Sequence, residues 1–552
     1  MKKLYTVYLL VLTACCLLHT TLSAQQIVSL TLLKAFSVEQ IDSVYTANGL
    51  PGFLVPITYP VNVYRVTYNT VSFDGISPTT ATGALLVPQG TPCKNPLISY
   101  QHGTTTHRHG VASYLSGELV IGLAESTDGY VVSMPDYLGL GDGPGFHPYI
   151  HAASEASASL DMIRAVREAQ DTLGFELNGQ LFLVGYSQGG HATMALHRLI
   201  ETSFSNEFTV TASAPMSGPY DVSGVQADVI VNDSVYSQPG YLPYILMSYN
   251  MVYGFYSDFS TVVLSPYDTV LPPLLDGWHG MDELNAAMPS IPNHIMKPEV
   301  LDSFINNQDH YFRVALRDND VYDWTPVAPL KMFYCEADDE VYYLNAFVAY
   351  DKFIENGSTS VSKESAGANF GHFECAFYAL LGGKNWFDTF RSDEIEINFE
   401  IQDIYICCGY VHPTVIGGIP PYTFQWNTGD TTQNIDDLME EGTFTLIVTD
   451  SNGCSVIDSA FVDYWSSVKK ITESNFQLFP NPFTESTTLQ FEEAPKSATL
   501  EILDLSGKLL RSENISGKKQ IEIERKQLSS GTYLLRVMDE EKGSSFAKLI
   551  VN

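Results

Sequence analysis

The sequence predicts an α/β fold: a mostly parallel sheet covered by helices on both faces, carrying an inserted, mainly helical cap and followed by two small all-β sandwich domains. Three observations lead there. Through roughly the first two thirds, short apolar runs alternate with segments of helical spacing, as parallel sheets require. That alternation lapses between about Gly218 and Trp324, a stretch rich in Tyr, Leu, Met and Pro. Beyond about Ser392, short alternating runs between Gly and Asn turns take over. A chain of 552 residues is long enough for three or four such units.

Charge and targeting narrow the classes. The formal net charge of −34 opposes binding to nucleic acid or anionic headgroups. No Lys or Arg occurs between Ser392 and Val468, whereas acids and bases roughly balance from Lys469 onward; such shifts follow domain boundaries. Residues 1–24 carry two lysines, an apolar core and small residues ending Leu22-Ser-Ala24, the pattern of a secretory signal peptide. Cleavage near Ala24 is the expectation, with lipidation at Cys15, in Leu12-Thr-Ala-Cys15, the alternative. No other apolar run is long enough to cross a bilayer. Export makes oxidation of the remaining cysteines available, and few cysteines in a long chain predict local staples.

Taken in order, Gln25 to Leu50 suits a helical lead-in with Leu30, Leu33 and Phe36 on one stripe. Val61–Tyr68 and Thr82–Pro88 read as antiparallel strands around the Asp74-Gly75 turn. Buried strands follow at Pro96–Gln101 and Gly129–Met134, then a helix over Ala152–Gln170. Gln180–Val184 is a strand, His191–Ile200 a helix, and Phe208–Ser213 and Lys331–Cys335 are further strands.

Between Val184 and His191 lies Gly185-Tyr-Ser187-Gln-Gly189-Gly190. A serine between glycines, entered from a strand and left by a helix, is the context of a nucleophile elbow. The turn lifts the hydroxyl clear of the sheet, at the carboxyl end of a strand, where such sheets bind ligands. A serine hydroxyl needs a base, and the base an orienting carboxylate. With the chain order Ser, acid, His, the histidines after the last sheet strand are His372 and His412. His412 falls in the separate acidic segment, which leaves His372. The acid comes from Glu336-Ala-Asp-Asp-Glu-Val341: Asp338, with Asp339 its rival. The expected oxyanion donors are the N–H groups of Gln188 and Thr104. His107 and His109 have ligand-like spacing, but no matching Cys or carboxylate cluster accompanies them, so no metal is expected.

Tyr100-Gln-His-Gly-Thr104, Pro135-Asp-Tyr-Leu-Gly-Leu-Gly-Asp142, Gly185–Gly190, Ala337-Asp338 and His372 together resemble the alpha/beta-hydrolase superfamily over roughly Tyr59 to Phe390, most closely its secretory lipases and esterases. The resemblance implies Ser187 as nucleophile, His372 as base and Asp338 as acid, an acyl-enzyme intermediate and no cofactor. The insertion at about 218–324 is placed as a cap over an apolar acyl site, a satellite helical subdomain without contact to substrate being the alternative. Cys335 and Cys375 flank the acid and the base, so a disulfide between them is expected, two buried thiols being the alternative.

The tail carries two further resemblances. Gly417–Trp426, Asn427-Thr-Gly429, Gly442–Asp450 and Asn452-Gly-Cys454 resemble the SprB-type immunoglobulin-like repeat of Bacteroidetes surface adhesins. Phe476–Pro482, Leu500–Gly507 and Gly531–Val537 resemble the C-terminal sorting domain of the type IX secretion system, which implies that machinery as a partner. The expected division is a signal peptide at 1–24, a hydrolase domain at 25–392, an Ig-like β domain at 393–465, a linker at 466–475 and a sorting domain at 476–552. The expected activity is that of a secreted, lipase-like serine carboxylic-ester hydrolase acting on apolar acyl esters. The rivals are a secreted serine peptidase of the prolyl-peptidase type and a surface adhesin with an inert hydrolase domain.

Overall fold

A nine-stranded sheet organises the first part of the chain in the computed structural model, which describes residues 25–50, 55–391, 395–404, 408–451, 453–463, 476–539 and 543–552. The expected signal peptide and the 466–475 linker lie outside the described residues. The strands are β1 (Ile27–Phe36), β2 (Val61–Val71), β3 (Pro78–Pro88), β4 (Asn95–Gln101), β5 (Val131–Pro135), β6 (Leu177–Tyr186), β7 (Ala212–Met216), β8 (Leu330–Cys335) and β9 (Val361–Gly367), in spatial order β1-β2-β3-β5-β4-β6-β7-β8-β9. The first three pair antiparallel, and β5 through β9 run parallel.

Period-two alternation sends successive strand residues to opposite cores. Phe182, Val184 and Tyr186 of β6 join one core, and Leu181 and Leu183 the other. The first is covered by α1 (Val38–Ala47) and α2 (Leu119–Thr127), the second by α3 (Ala152–Leu173) and α4 (Gln188–Ser203). Between β7 and β8 the chain leaves the sheet for an insertion of short helices: α5 (Asp228–Val231), α6 (Tyr241–Tyr253), α7 (Tyr267–Val270), α8 (Met281–Ala286), α9 (Pro298–Asn306) and α10 (Tyr311–Asp318). This cap has its own core, including Leu242, Leu246, Leu284 and Phe304, into which Tyr149 and Ile150 project from below. After β8, α11 (Leu344–Glu355) and α12 (His372–Asp388) close the two faces.

The lead-in is not one helix. Residues 27–36 pair with β2, and only then does Ser37 open α1 through a capping box with Gln40. Two bulges in the β1–β2 register break strict alternation and leave the apolar spacing that imitates a helix. Strand β7 begins at Ala212, later than expected, because it pairs with Phe182–Tyr186 of β6.

The described chain divides into two compact units. The first holds the sheet and cap through Glu396, together with Ile416–Tyr422 and Thr449–Val456; the second holds the remaining C-terminal residues. Small sheets make up the tail: β10 (Ile395–Gln402), β11 (Gly409–Gly417) and β13 (Ile435–Leu438); β12 (Thr423–Trp426), β14 (Gly442–Thr449) and β15 (Ser455–Val462). Then come β16 (Phe476–Phe479), β17 (Ser486–Phe491) and β20 (Gln520–Glu524), beside β18 (Ala498–Leu503), β19 (Leu509–Asn514), β21 (Gly531–Asp539) and β22 (Gly543–Val551). One bridge overturns the expectation of local staples. Cys93 is joined to Cys454, 361 residues away, with Cα atoms 4.2 Å apart.

Candidate active site

Ser187 sits between β6 and α4 with φ 60° and ψ −124°, a backbone conformation that is costly for a side-chain-bearing residue. The turn is held because its neighbours are glycines. A Cβ on Gly185 would lie 2.4 Å from the Gly189 carbonyl oxygen, and one on Gly189 only 1.9 Å from that of Gln101. Ser187 N–H donates to Met216 O at 2.9 Å, tying the turn to β7. The N-terminus of α4, with its partial positive charge, begins at the next residue.

His372 opens α12, and its ring meets the loop after β8. Its Nδ1 lies 2.9 Å from both carboxylate oxygens of Asp338, which is itself buried. Asp338 Oδ1 also accepts from the N–H groups of Glu340 and Val341, at 3.1 and 2.8 Å. Asp339 turns the other way and accepts from the backbone N–H of His372 at 3.0 Å, so it caps the helix and does not reach the ring. Glu340 Oε2 stands 3.8 Å from His372 Nε2. Burial pushes the His372 pKa down, but the hydrogen bond and charge of Asp338, with Glu340 and Asp339, outweigh it and hold it above the ordinary value.

The serine and histidine elements are joined through Tyr186, whose hydroxyl donates to His372 O at 2.5 Å and whose ring lies 4.9 Å from the imidazole. Among the described residues no hydrogen bond runs directly from Ser187 Oγ to His372 Nε2. In free hydrolases that contact commonly tightens only around substrate. Of the two remaining predicted positions, Gln188 follows Ser187 directly and Thr104 follows Gly103, where an added Cβ would lie 3.9 Å from Ser187 Cβ. Gln188 is buried at the first position of α4, and its side-chain amide donates to His147 Nε2 and Glu155 Oε1, each at 2.8 Å. His147 can accept because Nδ1–H donates to Leu138 O, and burial pushes its pKa down to about 4. Glu155 in turn meets His191 Nδ1 at 2.7 Å; burial raises its pKa, but His191 and Gln188 outweigh this and hold the carboxyl below its usual range. On the other side, Gly103 N–H donates to Glu118, which also accepts from Tyr100, and Thr104 Oγ1 bonds Tyr149. No acceptor for the backbone N–H of Gln188 or Thr104 is found among the described residues.

Against Ser187 and Gln188 opens a cleft, partly open to solvent. Its walls are Ile150, Val222, Ile230, Leu242, Ile245 and Leu316, most of them from the cap. Tyr236, Tyr241 and Tyr149 also line it, each with a hydrogen-bonded hydroxyl. His107 and His109 are elsewhere, their rings set edge-on to exposed Trp278, with His109 stacked on Tyr114. His412 bonds Asp436 in the tail.

A strained serine at a strand–helix turn, beneath a capped apolar cleft in a sheet of this order, defines an α/β hydrolase of the lipase and esterase class. Residues 114–279 match the secretory lipase family, and residues 477–552 match the secretion system C-terminal sorting domain. A protein of Legionella pneumophila described as a hydrolase is 30% identical, with a TM-score of 0.63 over 67% of this chain and 99% of its own. The rice cell wall degrading esterase LipA of Xanthomonas oryzae is 29% identical, with a TM-score of 0.61 over 67% of this chain and 100% of its own. Candida antarctica lipase A, at 14% identity and a TM-score of 0.50 over 67% of this chain and 84% of its own, shares the fold. None of the curated proteins matches. The chain belongs to the secretory lipase family and ends in a type IX secretion sorting domain, which makes it a secreted or cell-surface protein.

Proposed function

We propose that this chain is a serine carboxylic-ester hydrolase that works through an acyl-enzyme on apolar acyl esters, with Ser187, His372 and Asp338 as its triad. The observation that carries this reading is the two-oxygen contact of Asp338 with His372 Nδ1, on an element tied through Tyr186 to the strained Ser187 turn. His372 Nε2 takes the proton of Ser187 as Oγ attacks the ester carbonyl. The negative oxygen that results is received by the N–H groups of Gln188 and Thr104. The tetrahedral adduct expels the alcohol, which takes the proton from Nε2. Water then attacks the acyl-enzyme by the same route, releasing the acid and restoring Ser187.

The cap walls supply the acyl site. Each methylene they bury favours binding by about 0.8 kcal/mol. Medium and longer acyl chains are therefore preferred over acetate. The test is turnover of nitrophenyl esters of graded chain length by the wild type and Ser187→Ala, beside a chromogenic proline peptide. Ser187→Ala loses about 10⁶-fold in kcat while keeping its fold. Full ester turnover by folded Ser187→Ala removes the mechanism; a strict preference for acetate removes the lipase-like part; cleavage of the peptide alone makes the protein a peptidase.

In the tail, we read residues 393–465 as a single SprB-type Ig-like module acting as a spacer, and 476–552 as the unit read by the type IX machinery. Export with an N-terminal signal cleaved near Ala24 belongs to the same proposal.

A further inference from the structure

Glu340 is a carboxylate that the sequence leaves in an unremarkable acidic turn. Its side chain is only 13% exposed. Oε1 accepts from Gln238 Nε2 at 3.1 Å, and Oε2 from Tyr241 Oη at 2.8 Å; both donors belong to the cap. Its backbone carbonyl accepts from Tyr236 and Gln226, also of the cap, at 2.6 and 2.9 Å, and Ser237 donates to the neighbouring Asp339 carbonyl at 2.9 Å. The cap thus grips the acid loop at five points and fixes where this carboxylate stands. It stands 3.8 Å from His372 Nε2, the imidazole edge opposite Asp338.

Neutral donors satisfy the hydrogen-bonding capacity of a buried carboxylate, but they do not neutralise its charge, and an uncompensated buried charge is costly. Among the described residues, the only basic group within 4.0 Å of Glu340 is His372. That group becomes a cation only when it takes a proton, which in the reading above happens as Ser187 attacks. We propose that Glu340, held by Tyr241 and Gln238 of the cap, is a positioning residue that complements the imidazolium of His372 from its Nε2 side and so sets the pH range of the reaction. This rests on His372 being the base. Asp338 and Glu340 from the loop after β8 and Tyr186 from β6 face the imidazole, and Asp339 meets the backbone N–H of His372; Tyr236 and Tyr241 face Glu340 from the cap. All are acids or neutral donors.

The sign follows directly. A base must be neutral to act, so kcat/KM falls as pH drops through the His372 pKa, which the neighbouring carboxylates hold above its ordinary value. Removing a nearby negative charge lowers that pKa and moves the acid limb to lower pH. The experiment is the pH profile of kcat/KM for nitrophenyl butyrate, followed by acid release, on wild type, Glu340→Gln, Glu340→Asp, Tyr241→Phe and His372→Ala. Glu340→Gln moves the acid limb down by about one pH unit, the scale for a single charge at this range, and lowers the plateau. Glu340→Asp, which keeps the charge, moves it less than half as far. Tyr241→Phe removes one of the two side-chain donors that hold the carboxylate and moves the limb down, less far than Glu340→Gln. A lower plateau with an unmoved limb in Glu340→Gln overturns the proposal, as does an equal shift in the Asp and Gln variants. Should Glu340→Gln not fold, an unmoved or raised limb in Tyr241→Phe overturns it. Retained activity in His372→Ala instead removes the underlying triad reading, so the two failures are distinguishable.

Discussion

Asp338 and Asp339 are adjacent in the chain yet meet different parts of one histidine, the first at the ring and the second at the backbone N–H. Their replacements should therefore diverge. Asp338→Asn presents an amide to Nδ1, disturbs the tautomer and leaves a forming imidazolium without its partner. By analogy with triad acids elsewhere, kcat should fall about 10⁴-fold. Asp339→Asn keeps an oxygen that can cap α12, since Asn caps as well as Asp, so its kcat should stay within about tenfold of wild type. Steady-state kinetics on one ester check both, and the reverse ranking would move the acid to Asp339. A local sequence pattern could propose the Ser187 turn, because glycines flanking a serine between strand and helix need no distant information. It could not separate Asp338 from Asp339, because one residue along an irregular loop rotates the carboxylate to a different target. Glu340 was still less legible, since its position depends on cap donors about a hundred residues earlier.

At the scale of elements, the parallel strands were readable because each is a short apolar run bounded by turns, and period two divides their residues between two cores. Strand β1 was misread where bulges disturbed that period. The helical insertion was readable as a gap between strands, whereas its grip on the acid loop was not. The β8 and α12 elements are linked by the Cys335–Cys375 disulfide, whose Cα atoms are 6.0 Å apart. It closes a loop spanning 40 positions that contains the acid loop and ends just after His372. For such a loop the chain-entropy model gives about 4 kcal/mol. The Cys335→Ala/Cys375→Ala double variant should lose stability on that order by denaturant unfolding under non-reducing conditions, with an added cavity cost because both sulfurs are fully buried. Its kcat should also drop well below the unfolding midpoint, since the bridge holds acid and base elements in register. Unchanged kcat in the folded double variant would leave the bridge a purely stabilising role.

For the whole molecule, the question is what the tail contributes to the hydrolase. Among the described residues, the apolar cores around the sheet and cap include none beyond Phe390. The sorting domain has, among the described residues, a core of its own members, from Phe476 to Val551. Burial of apolar area is the main stabilising term in such units, so each should retain its fold without the other. Truncation after Asp463 should therefore leave kcat/KM within about twofold of the full chain, a change of under ~0.5 kcal/mol in transition-state stabilisation. The same truncation should abolish export, because residues 477–552 match the secretion system C-terminal sorting domain. A cut after Arg391 differs in one physical respect: it removes Cys454 and leaves Cys93 without its partner. Closing so long a loop carries a larger entropic term than the Cys335–Cys375 bridge, so this shorter form should unfold at lower denaturant than the form ending at Asp463. Kinetics and unfolding midpoints on both truncations, measured without reductant, check the pair. Equal midpoints would mean that the Cys93–Cys454 bridge adds nothing to the hydrolase, and lost activity in the longer form would mean that the tail completes the catalytic unit.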